Sequence, residues 1–112
     1  MSRGEVAEAL AARFLEARGL TIVARNYRCR FGEIDLVARS GSTLVFVEVR
    51  ARASDAFGGA AASITTAKRQ RLVRTARHYL AQRGGQRACR FDVVLLSGAL
   101  PRVEWIQNAF GE

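Results

Sequence analysis

The feature that most narrows what this chain can become is the unbroken apolar run Leu44-Val45-Phe46-Val47, bounded by Gly41-Ser42 before it and by Glu48 and Arg50 after it. Such a run, short and rich in β-branched and aromatic residues, marks a strand covered on both faces. A doubly covered strand needs a layer on each side of its sheet, so the fold class is α/β. Residues 32–38 (GEIDLVA) read as a second strand, joined to the strand at 43–50 through a turn at 39–42. A connection that short pairs the two antiparallel. Each strand carries charge where a core should be apolar: Glu33 and Asp35 share one face of the first, Glu48 and Arg50 one face of the second. Unpaired charge in such a place is expensive and needs a reason.

Antiparallel pairing supplies one, because residues near the outer ends of the two strands then come close enough for Asp35 and Glu48 to face one point. Two converging carboxylates repel unless a cation sits between them, and hard oxygen donors suit Mg²⁺ or Mn²⁺. Arg50, two residues on, would lie beside that ion. A divalent cation flanked by a basic side chain is what phosphodiester hydrolysis uses to activate water and to stabilise the charge that builds on phosphorus.

The charge balance agrees with a polyanionic partner. Eighteen Lys and Arg against ten Asp and Glu give a net charge of +8 and a pI near 11.2, which directs attention to nucleic acid, DNA ahead of RNA. An Arg-rich composition would raise the pI without any such role, so charge alone does not decide. The 112 residues fit one domain, 1–112. Cys29 and Cys89 are isolated and there is one His, which excludes a structural zinc site and leaves free thiols. The charged start and the lack of a membrane-length apolar run give the expectation of a cytoplasmic protein with no membrane partner.

Taken in order, residues 4–18 read as a helix with Val6, Leu10, Phe14 and Ala17 on its buried stripe and Gly19 as its stop. Glu8 lies off that stripe between Ala12 and Leu15, where periodicity by itself favours a solvated residue. A strand over 20–28 follows, and Arg25, Arg28 and Arg30 crowd its end, either to meet phosphates or to guard an edge. Glu33 is as close to those arginines as to Asp35, which places it behind the metal ligands. Residues 51–63 are small and Gly-rich and read as a mobile loop beside the charged strand ends, with Arg52 able to grip a backbone. Residues 64–83 form the second helix, capped by Ser63 or Thr65, stopped by Gly84-Gly85, and buried along Leu72, Val73, Ala76, Tyr79 and Leu80. Lys68, Arg69, Arg71, Arg74, Arg77 and His78 crowd its remaining surface, a cationic face that no acidic residue between 57 and 90 neutralises. Residues 90–97 make a strand parallel to the one at 43–50, with Asp92 structural at its start, paired with Arg90 or capping a turn. A last strand runs over 101–106, after which Asn108-Ala109-Phe110 closes the chain, Trp105 and Phe110 being core or interface residues.

Asp35 followed by Glu48-Val49-Arg50 resembles the PD-(D/E)xK nuclease signature, with Ile34 where Pro is expected and Arg50 where Lys is expected. Together with Gly32-Glu33-Ile34-Asp35-Leu36, Val45-Phe46-Val47, Phe57-Gly58, Ile64-Thr65 with Lys68, and Arg90-Phe91-Asp92-Val93-Val94, the chain is similar to the YraN-like family of small bacterial nuclease-like proteins over nearly its whole length. That resemblance implies a restriction-endonuclease-like fold related to the archaeal Holliday-junction resolvases, with a mixed sheet of about five strands between two main helices. It implies Asp35 and Glu48 as metal ligands, Glu8 as a further ligand from the first helix, and a catalytic cation supplied by Arg50 or, from the neighbouring helix, by Lys68. Relatives of the resolvase kind also suggest a homodimer.

Two functions compete. One is a Mg²⁺- or Mn²⁺-dependent endonuclease acting on DNA, branched or distorted forms included, gripped by Arg28, Arg30, Arg52, Lys68, Arg71 and Arg74. The other is a binding module on the same fold, serving DNA processing or an RNA assembly, for which Arg50 in place of Lys speaks. A third reading makes Glu48 and Arg50 a buried structural ion pair, an arrangement that seldom adds net stability.

Overall fold

The computed structural model describes residues 2–52, 64–83, 87–98 and 102–111. The element order is α1 (Arg3–Ala17), β1 (Thr21–Cys29), β2 (Gly32–Ser40), β3 (Thr43–Arg52), α2 (Thr66–Gln82), β4 (Cys89–Ser97) and β5 (Arg102–Phe110). The five strands form one mixed sheet in sequence order, antiparallel except for the β3–β4 pair, which is parallel because α2 carries the chain back. This is the mixed α/β architecture expected from the sequence, five strands and two helices. The expected loop at 51–63, apart from residues 51 and 52 in β3, and the Gly84-Gly85 stop lie outside the described residues.

Side-chain alternation along β3 sorts the core into two layers. Val45 and Val47 pack with Ala7, Ala11, Ala12 and Leu15 of α1, whereas Leu44 and Phe46 pack with Leu72, Val73, Ala76 and Tyr79 of α2. The helices therefore cover opposite faces, which is why the apolar run at 44–47 has no polar position.

On α1 the buried face differs from the expected stripe. Ala7, Ala11, Ala12 and Leu15 are buried, while Val6 is 43% and Leu10 38% exposed. The three alanines let the helix backbone approach the sheet closely, which a row of larger side chains would prevent. Phe14 lies at the margin, edge-on to Trp105 with Arg18 stacked 3.6 Å above it. The helix is thus turned about one residue from the expected stripe, and Glu8, next to Ala7 and one turn before Ala12, comes to the rim of the sheet. Ser2 and Glu5 close a reciprocal capping box at its start. Thr65 caps α2, accepting the Lys68 amide at 3.1 Å.

The last strand also outruns its expected end at 106 and continues to Phe110. Asn108 takes a left-handed conformation (φ 52°), which lets a bulge form opposite Asp92 without ending the pairing. Asp92, fully buried, fills that bulge by accepting Arg90 Nε at 3.0 Å, Trp105 Nε1 at 2.9 Å and the Asn108 amide at 2.9 Å. Its structural role, with Arg90 as partner, is as expected. Trp105 and Phe110 both pack at the core, Phe110 stacking on Phe91 at 5.0 Å. Asp92→Asn should lower stability by about 2 kcal/mol, since one acceptor of three donors, one of them charged, becomes an amide that cannot serve them all. Denaturant titration reads the change, and an unaltered midpoint would disprove the role.

Candidate active site

The site forms where β2 stops behaving as a regular strand. Strict alternation would place Ile34 and Leu36 on one face, yet Ile34 packs in the α2 layer and Leu36 in the α1 layer. The strand therefore twists at Asp35. Beyond the Leu36–Val47 pair, the Asp35 carboxylate takes over from the ladder, Oδ2 accepting the Val49 amide at 2.8 Å. Asp35 is held at the sheet end by backbone, with one helix layer on either side.

That position lets both layers reach it. From the α1 side comes Glu8, whose carboxylate, with those of Glu33 and Asp35, offers oxygens all within 4.8 Å of one another. From β3 on the α2 side comes Glu48, 5% exposed and close enough to Asp35 to act on its carboxyl. Burial, then the hydrogen bond and negative charge of Glu48, push the Asp35 carboxyl up to about 9, against the opposing pull of the Val49 amide. Burial first, and the neighbouring Glu48 carboxylate second, thus favour the protonated form of Asp35 when no metal ion is bound.

α2 adds the cations. The Lys68 ammonium lies 2.8 Å from Glu48 Oε2, but out of line for a hydrogen bond, so that buried oxygen has an ion-pair partner and no aligned donor. Lys68 is a third exposed and faces a cleft of about 310 Å³ lined by Gly32, Glu33, Asp35, Glu48, Lys68, Arg71 and Leu72. Gly32 makes the cleft possible. Its φ of +148° is foreign to L side chains, and a Cβ there would come 3.2 Å from Thr75 Oγ1, whose hydroxyl donates to the Arg71 carbonyl at 2.8 Å. Gly32→Ala should cost about 1–3 kcal/mol and displace Arg71; a thermal midpoint equal to that of the parent would refute this.

Hard oxygens on four carboxylates, an oxygen buried without an aligned donor, and a carboxyl that must carry a proton in the absence of metal together fit a divalent cation such as Mg²⁺ or Mn²⁺. The donors fall into two overlapping groups that share Asp35: Glu48 beside it, and Glu8 with Glu33. Glu33 also accepts Arg28 Nε at 2.8 Å, so it joins the acidic cluster and an exposed arginine at once.

Arg50 is placed otherwise. Although it shares the β3 face of Glu48, it is absent from the cleft lining among the described residues, and the ion-pair partner shown for Glu48 is Lys68 rather than the Arg50 of the third reading. Of the expected nucleic-acid contacts, Lys68 and Arg71 line the cleft. Arg30 stacks over Phe31 at 4.8 Å, Arg52 ends β3, and Arg74 joins Arg69 and Arg77 along a separate groove on α2. Phe31 and His78 were not foreseen as neighbours. Their rings meet at 6.1 Å beside Gly32, and His78 Nδ1 is 2.6 Å from the Tyr27 hydroxyl. Only the pairing of β1 against α2 brings these distant residues together.

The profile of Uncharacterised protein family UPF0102 matches residues 7–96, which takes in Glu8, Asp35, Glu48 and Lys68. The chain is 61% identical to a UPF0102 protein of Nitrosomonas europaea over 112 residues, covering 99% of this chain and 95% of the relative. A UPF0102 protein of Methylobacillus flagellatus is 61% identical over 96% of this chain and 95% of its own, and one of Aeromonas hydrophila 55% over 97% and 85%. With a profile over most of its length and relatives matched nearly end to end, the chain belongs to the UPF0102 (YraN-like) family.

Proposed function

We propose that this protein is a metal-dependent nuclease of the PD-(D/E)xK kind, hydrolysing phosphodiester bonds in DNA. The observation that carries the reading is the Asp35–Glu48 pair, two neighbouring carboxyls at the sheet end in a cleft whose other charged walls are Glu33, Lys68 and Arg71. One carboxyl of the pair is pushed toward its protonated form and one buried oxygen of the other lacks an aligned donor, which a bound cation would relieve.

Asp35 and Glu48 would hold Mg²⁺ or Mn²⁺, with Glu8 of α1 and Glu33 of β2 adding oxygens. The ion supplies Lewis acidity, making water a nucleophile at neutral pH and polarising the phosphoryl oxygen. Asp35 is positioned by the Val49 amide, so its geometry is set before substrate arrives. Lys68, rooted in the first turns of α2, presents a cation at the cleft where negative charge builds on phosphorus. Arg71, a turn later, is placed to take a neighbouring phosphate in bidentate fashion.

The Lys68–Glu48 ion pair favours a second reading, a nucleic-acid-binding module in which the ammonium neutralises Glu48 permanently. The two part in one assay. Labelled duplex, single strand, flap, four-way junction and RNA hairpin are incubated with Mg²⁺ and then Mn²⁺, with Asp35→Ala purified in parallel. Cleavage of one substrate that disappears in Asp35→Ala supports the nuclease. Equal traces in both proteins, together with no metal binding by calorimetry, would remove it and leave the binding module.

A further inference from the structure

At the end of the sheet opposite the acidic cleft, three arginines from three elements converge. Arg39 stands near the end of β2, Arg83 caps α2, and Arg87 precedes β4. They share a hollow of about 160 Å³ floored by Leu44, Tyr79 and Leu80, and Arg39 and Arg87 also line an adjoining one of about 510 Å³ with Ser42. Each arginine is exposed, and among the described residues no carboxylate pairs with any of them.

Their placement is built rather than incidental. Arg83 lies 4.0 Å above the Tyr79 ring and 5.4 Å from that of Tyr27, which fixes its guanidinium. Arg87 is held beside β3 because the next residue, Ala88, accepts the Leu44 amide at 3.0 Å. The helix dipole accounts for a cation at the end of α2, but not for Arg39 or Arg87, which stand on other elements. Like charges gathered on a shared hollow repel unless an anion lies among them.

We propose that this arginine cluster is a second phosphate-binding site, which takes the backbone of the same nucleic acid that enters the acidic cleft. The proposal rests on the nucleic-acid reading above and extends it to the far end of the α2 layer. From Glu48 to Leu44 is about 13 Å along β3, and from Arg71 to Arg83 about 18 Å along α2, or some four to five base-pair rises of about 3.4 Å. Guanidinium groups and the Ser42 hydroxyl are the donors that phosphate oxygens accept, and the ligand is read by charge rather than by base.

The test is fluorescence anisotropy of a labelled duplex of about 15 base pairs, in EDTA, across a series of potassium chloride concentrations. The variants are the double substitution Arg39→Gln with Arg87→Gln, and Arg13→Gln on the opposite helix as a control for bulk charge. Neither touches the cleft, and thermal melts check folding. The double variant should lose about one unit of salt slope per arginine, and about eight-fold in affinity per arginine near 0.1 M salt. Arg13→Gln should change neither. A double variant indistinguishable from the parent, or one matched per charge by Arg13→Gln, would overturn the second site while leaving the cleft reading intact. Failure of the parent to bind the duplex at all would instead remove the nucleic-acid reading, and this site with it.

Discussion

Lys68→Met is expected to cut cleavage about 10²- to 10³-fold, the loss typical of removing one pre-positioned group that stabilises transition-state charge. Arg50→Gln should cost less than about ten-fold, because Arg50 does not line the cleft among the described residues. The two variants separate the positions on which sequence gives no decision. Metal affinity should move the opposite way from rate in Lys68→Met, since Glu48 Oε2 loses a cation 2.8 Å away that competes with the ion. Stability without metal should fall by about 1–3 kcal/mol as buried Glu48 is left unpaired. Lys68→Arg keeps the charge but not the compact ammonium and should recover part of the rate. A larger loss in Arg50→Gln than in Lys68→Met would assign the catalytic cation to β3 after all.

That contrast marks what a single sequence discloses. Asp35 and Glu48 were legible because they interrupt apolar runs on strands joined by a short turn, expected at 39–42 and found to be Gly41-Ser42 alone, so period 2 and loop length sufficed. Lys68 stands 20 residues from Glu48, and its reach depends on how α2 packs, which periodicity leaves open. The face of α1 was misjudged because a stripe read by size prefers Val6, Leu10 and Phe14, while close packing prefers Ala7, Ala11 and Ala12. The last strand was expected to end at 106, ahead of Asn108, and only Asp92 in the opposing bulge explains why pairing goes on past it. The twist at Asp35 was equally hidden. It is what puts Glu8 and Glu48, from opposite layers, on one carboxyl.

A fold that holds Asp35 protonated should lose stability as pH rises when no metal is present. In the unfolded chain an Asp titrates near 3.9, whereas folding raises Asp35 to about 9, chiefly by burial and then by Glu48. Between those values the folded protein retains a proton that the unfolded chain has released. The contribution is therefore complete below about pH 4 and is lost up to about pH 9, at no more than about 1.4 kcal/mol per pH unit. From pH 5 to pH 8 the ceiling is about 4 kcal/mol, much of a small domain's stability. Asp35→Asn removes the titration while its amide can still donate to Glu48 and accept the Val49 amide, so that variant should be nearly flat in EDTA and the more stable of the two at pH 8. Saturating Mg²⁺ should flatten the parent also, with the ion replacing the proton, and leave Asp35→Asn unmoved. Denaturant titrations at both pH values, with EDTA and with Mg²⁺, measure all of this. A parent whose metal-free stability does not change with pH would show that Asp35 is ionised in the fold, its carboxylate balanced by a partner such as Lys68 rather than by the proposed cation.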